Sequence, residues 1–118
     1  MEKIEKNLVL RLAFNFSLSI IEYSEVLEIN KKYVIARQLL KSGTSIGANI
    51  MEAQHAESKA DFIHKFKIAA KEGEETEYWL LLCQHAKNYP DCNELLLNIH
   101  ELNRVVGRII SSAKRGVP

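Results

Sequence analysis

The chain is poor in the residues that break helices. Five glycines and two prolines occur in 118 residues, and Pro90 is the only proline before the last position. Charge of one sign is also missing. Lysine and arginine nearly balance aspartate and glutamate, leaving a formal net charge of +1. No global basic field advertises nucleic acid, so any such surface is a local patch. The two cysteines, Cys83 and Cys92, form no Cys-x-x-Cys pair, which fits a reduced, cytoplasmic protein. The charged start Met1-Glu2-Lys3-Ile4-Glu5-Lys6-Asn7 has no signal-peptide core. No apolar run approaches the ~20 residues of a membrane-spanning helix.

Catalytic and metal motifs are missing as well. Gly43-Thr44-Ser45-Ile46-Gly47 lacks the Gly-Lys-Ser/Thr ending of a phosphate loop and lies within a helical pattern. His55, His64, His85 and His100 are scattered, with no His-Glu-x-x-His. A di-metal bundle centre needs a Glu-x-x-His pair from each of two helices, and the chain has a single one, Glu52 to His55. Ser17, Ser19, Ser42 and Ser45 have no arrangement that marks a nucleophile. The expectation is a protein that is not an enzyme and holds no cofactor or metal.

What is present favours helix. Hydrophobic residues make up 47% and charged residues 26%, an ordinary soluble balance for one domain over residues 1–118. Helical spacing predicts a first helix from about Ile4 to Leu27, with Val9, Ala13, Phe16, Ile20, Tyr23 and Leu27 inward. A second runs from about Tyr33 to Gln54, with Ala36, Leu39, Leu40, Gly43, Ile46, Gly47, Ile50 and Ala53 on one side. Glycine inside a helix costs roughly 1 kcal/mol relative to alanine, so Gly43 and Gly47 point to close packing of a neighbouring helix. Beside them runs a polar row containing Gln38, Ser42, Ser45, Asn49 and Glu52.

A third helix starts at the capping-box pattern Ser58-Lys59-Ala60-Asp61 and continues to about Asn88, before Tyr89-Pro90. Phe62, Phe66, Ala69, Gly73, Thr76, Leu80 and Cys83 form its inner stripe. A fourth starts at an Asp91 cap with Glu94 three residues on, and buries Leu95, Leu96, Ile99, Leu102, Val106, Ile109 and Ile110. Lys114-Arg115-Gly116 ends it. Short connections predict an all-α, antiparallel up-down-up-down four-helix bundle.

Two surfaces stand out. Arg104, Arg108 and Arg115 share a face of the fourth helix, with Lys114 beside it, and Lys65 and Lys71 form a second basic group. Each could contact phosphates, although no aromatic residue is interleaved with them as a stacking platform. Tyr78, Trp79, Leu81 and Leu82 cover several faces of the third helix, and Leu8, Leu10 and Phe14 do the same on the first. One core cannot absorb all of them, so they are candidate oligomer contacts.

Ser45-Ile46-Gly47-Ala48-Asn49-Ile50-Met51-Glu52-Ala53, Lys59-Ala60-Asp61-Phe62-Ile63-His64-Lys65-Phe66 and Glu72-Gly73-Glu74-Glu75-Thr76-Glu77-Tyr78-Trp79-Leu80 together resemble a known family. It is the four-helix-bundle family encoded by intervening sequences in bacterial large-subunit ribosomal RNA genes. Its relatives include the accessory variability protein of diversity-generating retroelements. The family pattern maps onto Ser45, Ile46, Asn49, Ile50 and Glu52, then Phe62 and Lys65, then Glu72 and Glu75. The match covers about residues 36–83. The resemblance implies a homopentamer, a role in binding nucleic acid and, in the retroelement branch, partner binding with a reverse transcriptase as the analogous partner. This chain departs from the strongly basic retroelement relatives in its net charge. The expected function is an oligomeric helical bundle that contacts RNA. The alternative is a protein–protein interaction scaffold with no nucleic-acid role.

Overall fold

Four long helices and one short one make up the protein, a computed structural model that describes residues 1–116. They are α1 (Glu2–Glu5), α2 (Leu8–Ile29), α3 (Tyr33–Ala53), α4 (Lys59–His85) and α5 (Asn93–Lys114). There is no strand among the described residues. Sequential long helices pack on one another, α2 and α5 close the bundle with a smaller contact, and α1 touches α2. The body measures 47 × 26 × 20 Å.

The expected first helix is two helices. Asn7 takes an extended conformation and its side chain accepts from the backbone N–H of Leu10 at 3.3 Å. That is a favoured N-cap, and it restarts the helix one turn later. The third helix ends at His85 rather than near Asn88, because Ala86 is already extended and Asn88 is left-handed (φ 65°). Asparagine tolerates that conformation better than most residues. The segment is tied in place: Tyr23 donates to the Pro90 carbonyl at 2.6 Å, and Gln84 accepts from the Cys92 N–H at 2.8 Å. The cap of α5 is Cys92, not Asp91. Asp91 instead accepts from the Gln84 amide at 2.9 Å. Ser58 caps α4 as its spacing implies, accepting from Asp61 N–H at 3.0 Å.

The core is apolar and shared by all four long helices. Ile20, Leu27, Leu39, Ile46, Ile50, Phe66, Leu80, Ile99, Leu102 and Val106 are fully buried. Within it, the Thr76 hydroxyl of α4 lies 2.9 Å from that of Ser42 on α3 and 2.7 Å from the Glu72 carbonyl. Gly43 lies flush against Ile20, where an added Cβ would stand 2.9 Å from Cγ2. Gly47 is looser, with Ala13 Cβ at 3.5 Å from the same point. Gly73 is the tightest: its carbonyl accepts from Asn103 Nδ2 at 3.3 Å, and a Cβ there would collide with the Asn103 amide.

Candidate nucleic-acid interface

The buried stripe of α5 fixes where its charged residues go. Leu95, Ile99, Leu102 and Val106 turn into the core, so residues on the opposite side are forced outward. Arg104, Gly107, Arg108, Ser111 and Arg115 fall there and are exposed. With Ser112 they line a shallow groove of about 660 Å³. Arg104 and Arg108 are one turn apart, about 6 Å along the axis, and Arg115 follows about 10 Å further on. Nothing lies within 4 Å of the space above Gly107. Glu101, one turn before Arg104, is where the basic stripe stops. Among the described residues none of these arginines has an ion-pair partner. Lys114 ends α5 beside them and is exposed.

The second basic group does not join this stripe. Lys65 is bound to Glu52 of α3 at 2.9 Å. That hydrogen bond and the carboxylate charge hold its ammonium above the usual lysine range. Lys71 is exposed six residues further along α4, about 240° around the helix from Lys65. Lys59, at the start of α4, does approach the arginine end: its Nζ lies 3.6 Å from where a Cβ on Gly116 would stand.

The fold also brings an aromatic residue to the arginines, which the sequence order concealed. A hollow of about 460 Å³ is lined by Leu8, Phe62, Val105, Arg108, Ile109, Ser112 and Ala113. Arg108 and Ser112 line both it and the groove. Phe62 comes from the first turn of α4, and its ring stacks at a tilt on Phe66, centroids 4.7 Å apart. The signal in the sequence was the adjacency of the third and fourth helices, which carries the start of one to the end of the other.

The family-motif residues sit on the α3–α4 side. Ser45 donates to the Lys41 carbonyl at 2.7 Å, and Asn49 donates to the Ser45 carbonyl at 2.9 Å. Both are half-buried. Glu52 is the member that crosses to α4, through Lys65. Glu72 is half-buried, its carbonyl taken by Thr76. Glu75 accepts from the indole N–H of Trp79 at 3.1 Å.

Among the candidate oligomer contacts, Leu10 requires correction. It is 3% exposed and belongs to the chain's own core. The break at Asn7 is the reason: α1 lies against α2, and Ile4 shares an apolar cleft with Leu10, Phe14 and Met51. Leu8 remains 52% exposed but lines the arginine-side hollow. Phe14 is half-buried, and Leu18 and Ile21 continue its stripe in the open. Tyr78, Leu81 and Leu82 are exposed, while Trp79 is half-buried against the core.

At the other end, burial keeps a small polar cluster neutral. Cys83 and Cys92 are free and buried. Burial, then the neighbouring Cys92, pushes the Cys83 thiol up to about 11. Burial likewise raises Cys92 and the Tyr23 phenol beside them. Such thiols are poor nucleophiles. Among the described residues no cluster of three or more His, Cys, Asp or Glu could hold a metal ion. Nor is any described helix long and apolar enough to cross a membrane.

Residues 5–109 match the family described as 23S rRNA-intervening sequence protein. The chain belongs to that family. It is also similar to a crystal structure from Bacteroides thetaiotaomicron VPI-5482, a protein of unknown function from the S23 ribosomal protein family. The two are 39% identical with a TM-score of 0.79, over 86% of this chain and 97% of the other. No curated protein matches this chain.

Proposed function

We propose that this protein is a non-enzymatic, self-associating helical bundle that contacts RNA through the arginine face of α5. One observation carries the RNA reading. Three arginines that have no ion-pair partner among the described residues line a groove together with the bare Gly107 and two serines. Phosphate groups along a strand can occupy such a row, each accepting charge-assisted hydrogen bonds. Kinship with proteins described by a 23S rRNA intervening sequence is in keeping with RNA as the ligand.

The bundle is antiparallel and up-down-up-down in this reading, and forms a single domain. Contacts that pair rising with falling residue numbers support it. Ile20 meets Gly43 and Ala13 meets Gly47. Glu52 meets Lys65 while Ser42 meets Thr76. Gly73 meets Asn103 while Glu77 meets His100. Free cysteines fit a reducing cytoplasm.

Self-association rests on apolar side chains left in the open. Leu18 and Ile21 share one side of α2 with the half-buried Phe14, and Tyr78, Leu81 and Leu82 share one side of α4. Two different faces allow a closed ring, and the family resemblance suggests five copies. Those same faces favour a second reading, an interaction scaffold without RNA. Binding of fluorescein-labelled RNA at increasing salt separates the two. Contact through α5 requires affinity that falls with salt and is lost in Arg104→Glu/Arg108→Glu. A scaffold alone shows no such binding at micromolar protein.

A further inference from the structure

The groove and the hollow are chemically different and share a wall. On one side of Arg108 lie the exposed arginines and Ser111, suited to phosphates. On the other lie Phe62, Leu8, Val105 and Ile109, mostly apolar and open to solvent. A uniform duplex offers a phosphate backbone to the groove and has nothing to place in the hollow, because its bases are stacked inside. A strand with an unpaired nucleotide has both. Its base carries a flat apolar face, and the phosphates flanking that base lie within a nucleotide's length of it.

We infer that the hollow receives the base of an unpaired RNA nucleotide, held against Phe62 while its flanking phosphates lie on Arg104 and Arg108. This rests on the RNA-contact reading above and adds the form of RNA that the site selects. Single-strand binding sites elsewhere combine a basic track with an aromatic stacking surface, and sequence-specific RNA recognition favours loops, bulges and ends whose bases can be splayed out. The occupant is set by charge and shape together. No carboxylate lines either cavity, and Lys59 adds a cation at the same end. An apolar peptide would fill the hollow and leave the arginines unanswered. A small anion would do the reverse.

The test compares two fluorescein-labelled RNA hairpins, one fully paired and one with a single-nucleotide bulge, by anisotropy on the full-length protein. The bulged hairpin is expected to bind about tenfold more tightly, within the range for stacking one base on an aromatic ring. Phe62→Leu, which keeps an apolar side chain of near size, should bring the bulged hairpin down to the affinity of the paired one. Ala113→Leu, which fills the hollow from α5, should do the same and serves if Phe62→Leu does not fold. A 2-aminopurine placed at the bulge should change its emission on binding to wild-type protein and not to Ala113→Leu. Equal affinity for both hairpins, or a bulge preference that survives both substitutions, overturns this inference and leaves salt-sensitive RNA contact standing. Absence of binding to either hairpin overturns the RNA reading and this inference with it.

Discussion

Three glycines in similar helical settings have three different tolerances. At Gly47 an added Cβ meets Ala13 and Ser17 at 3.5 Å, ordinary van der Waals distance, so Gly47→Ala gains helix propensity of roughly 1 kcal/mol and should raise the melting temperature. At Gly43 the β-branched Ile20 has no room to swing away. Gly43→Leu overpacks the α2–α3 contact and should cost about 1–3 kcal/mol, read from denaturant unfolding. Gly73→Ala forces out the Asn103 side chain and breaks its bond to the Gly73 carbonyl, so it too should destabilise, by roughly 1–3 kcal/mol. A melting curve unchanged by Gly43→Leu would show that the α2–α3 packing is looser than these distances. The sequence showed that Gly43 and Gly47 lie on a packed side. It could not rank them, because the rank depends on whether isoleucine or alanine stands opposite.

Each helix carries its own record of what sequence order reveals. The apolar stripes of α2 to α5 were legible because burial and a 3.6-residue period coincide, except at Leu40, which is 39% exposed and not on the packed side. The break at Asn7 was not legible, since Ile4 and Leu8 keep helical spacing across it and Asn7 acts through a cap bond to Leu10 N–H and a bond to Gln54 on another helix. With the chain broken there, Ile4 of α1 lies beside Leu10, which is buried and not on an outer surface. The start of α5 was displaced by one residue because Gln84, on another helix, claims both Asp91 and the Cys92 N–H. The arginine stripe was visible from its spacing within α5. Phe62 is not legible as its neighbour, because Phe62 and Arg108 lie some 46 residues apart and meet only through the pairing of α4 with α5.

Cys83, in the last turn of α4, makes stability depend on pH. Burial holds the Cys83 thiol protonated up to about 11, against an ordinary value near 9. The unfolded chain releases that proton earlier, so folding loses stability as pH rises. Melting temperature should be flat below about pH 9 on this account and fall between about 9 and 11. Cys83→Ala should make that fall shallower. Identical alkaline profiles for the two proteins would mean that Cys83 is solvated.

On the scale of the whole molecule, the chain leaves large apolar side chains exposed on α2 and α4, including Tyr78 at 57% and Leu18 at 47%. Light scattering of the dilute protein should therefore give a multiple of the 13.5 kDa chain mass, with a ring of five as the specific expectation. Leu18→Glu/Tyr78→Glu should lower that mass while leaving the helical circular dichroism in place. A wild-type mass near 13.5 kDa would reject self-association, and a clean dimer would reject the ring alone.

The near-neutral total charge of this chain makes the arginine stripe of α5, without ion-pair partners among the described residues, the test of the RNA proposal. The most direct measurement is the salt dependence of RNA affinity, for wild-type protein and for Arg104→Glu/Arg108→Glu. Three phosphate contacts per subunit predict a log–log slope of about −2 to −3, with binding abolished in the variant. No salt-sensitive binding at micromolar concentration, or a slope the variant shares, would contradict contact through α5.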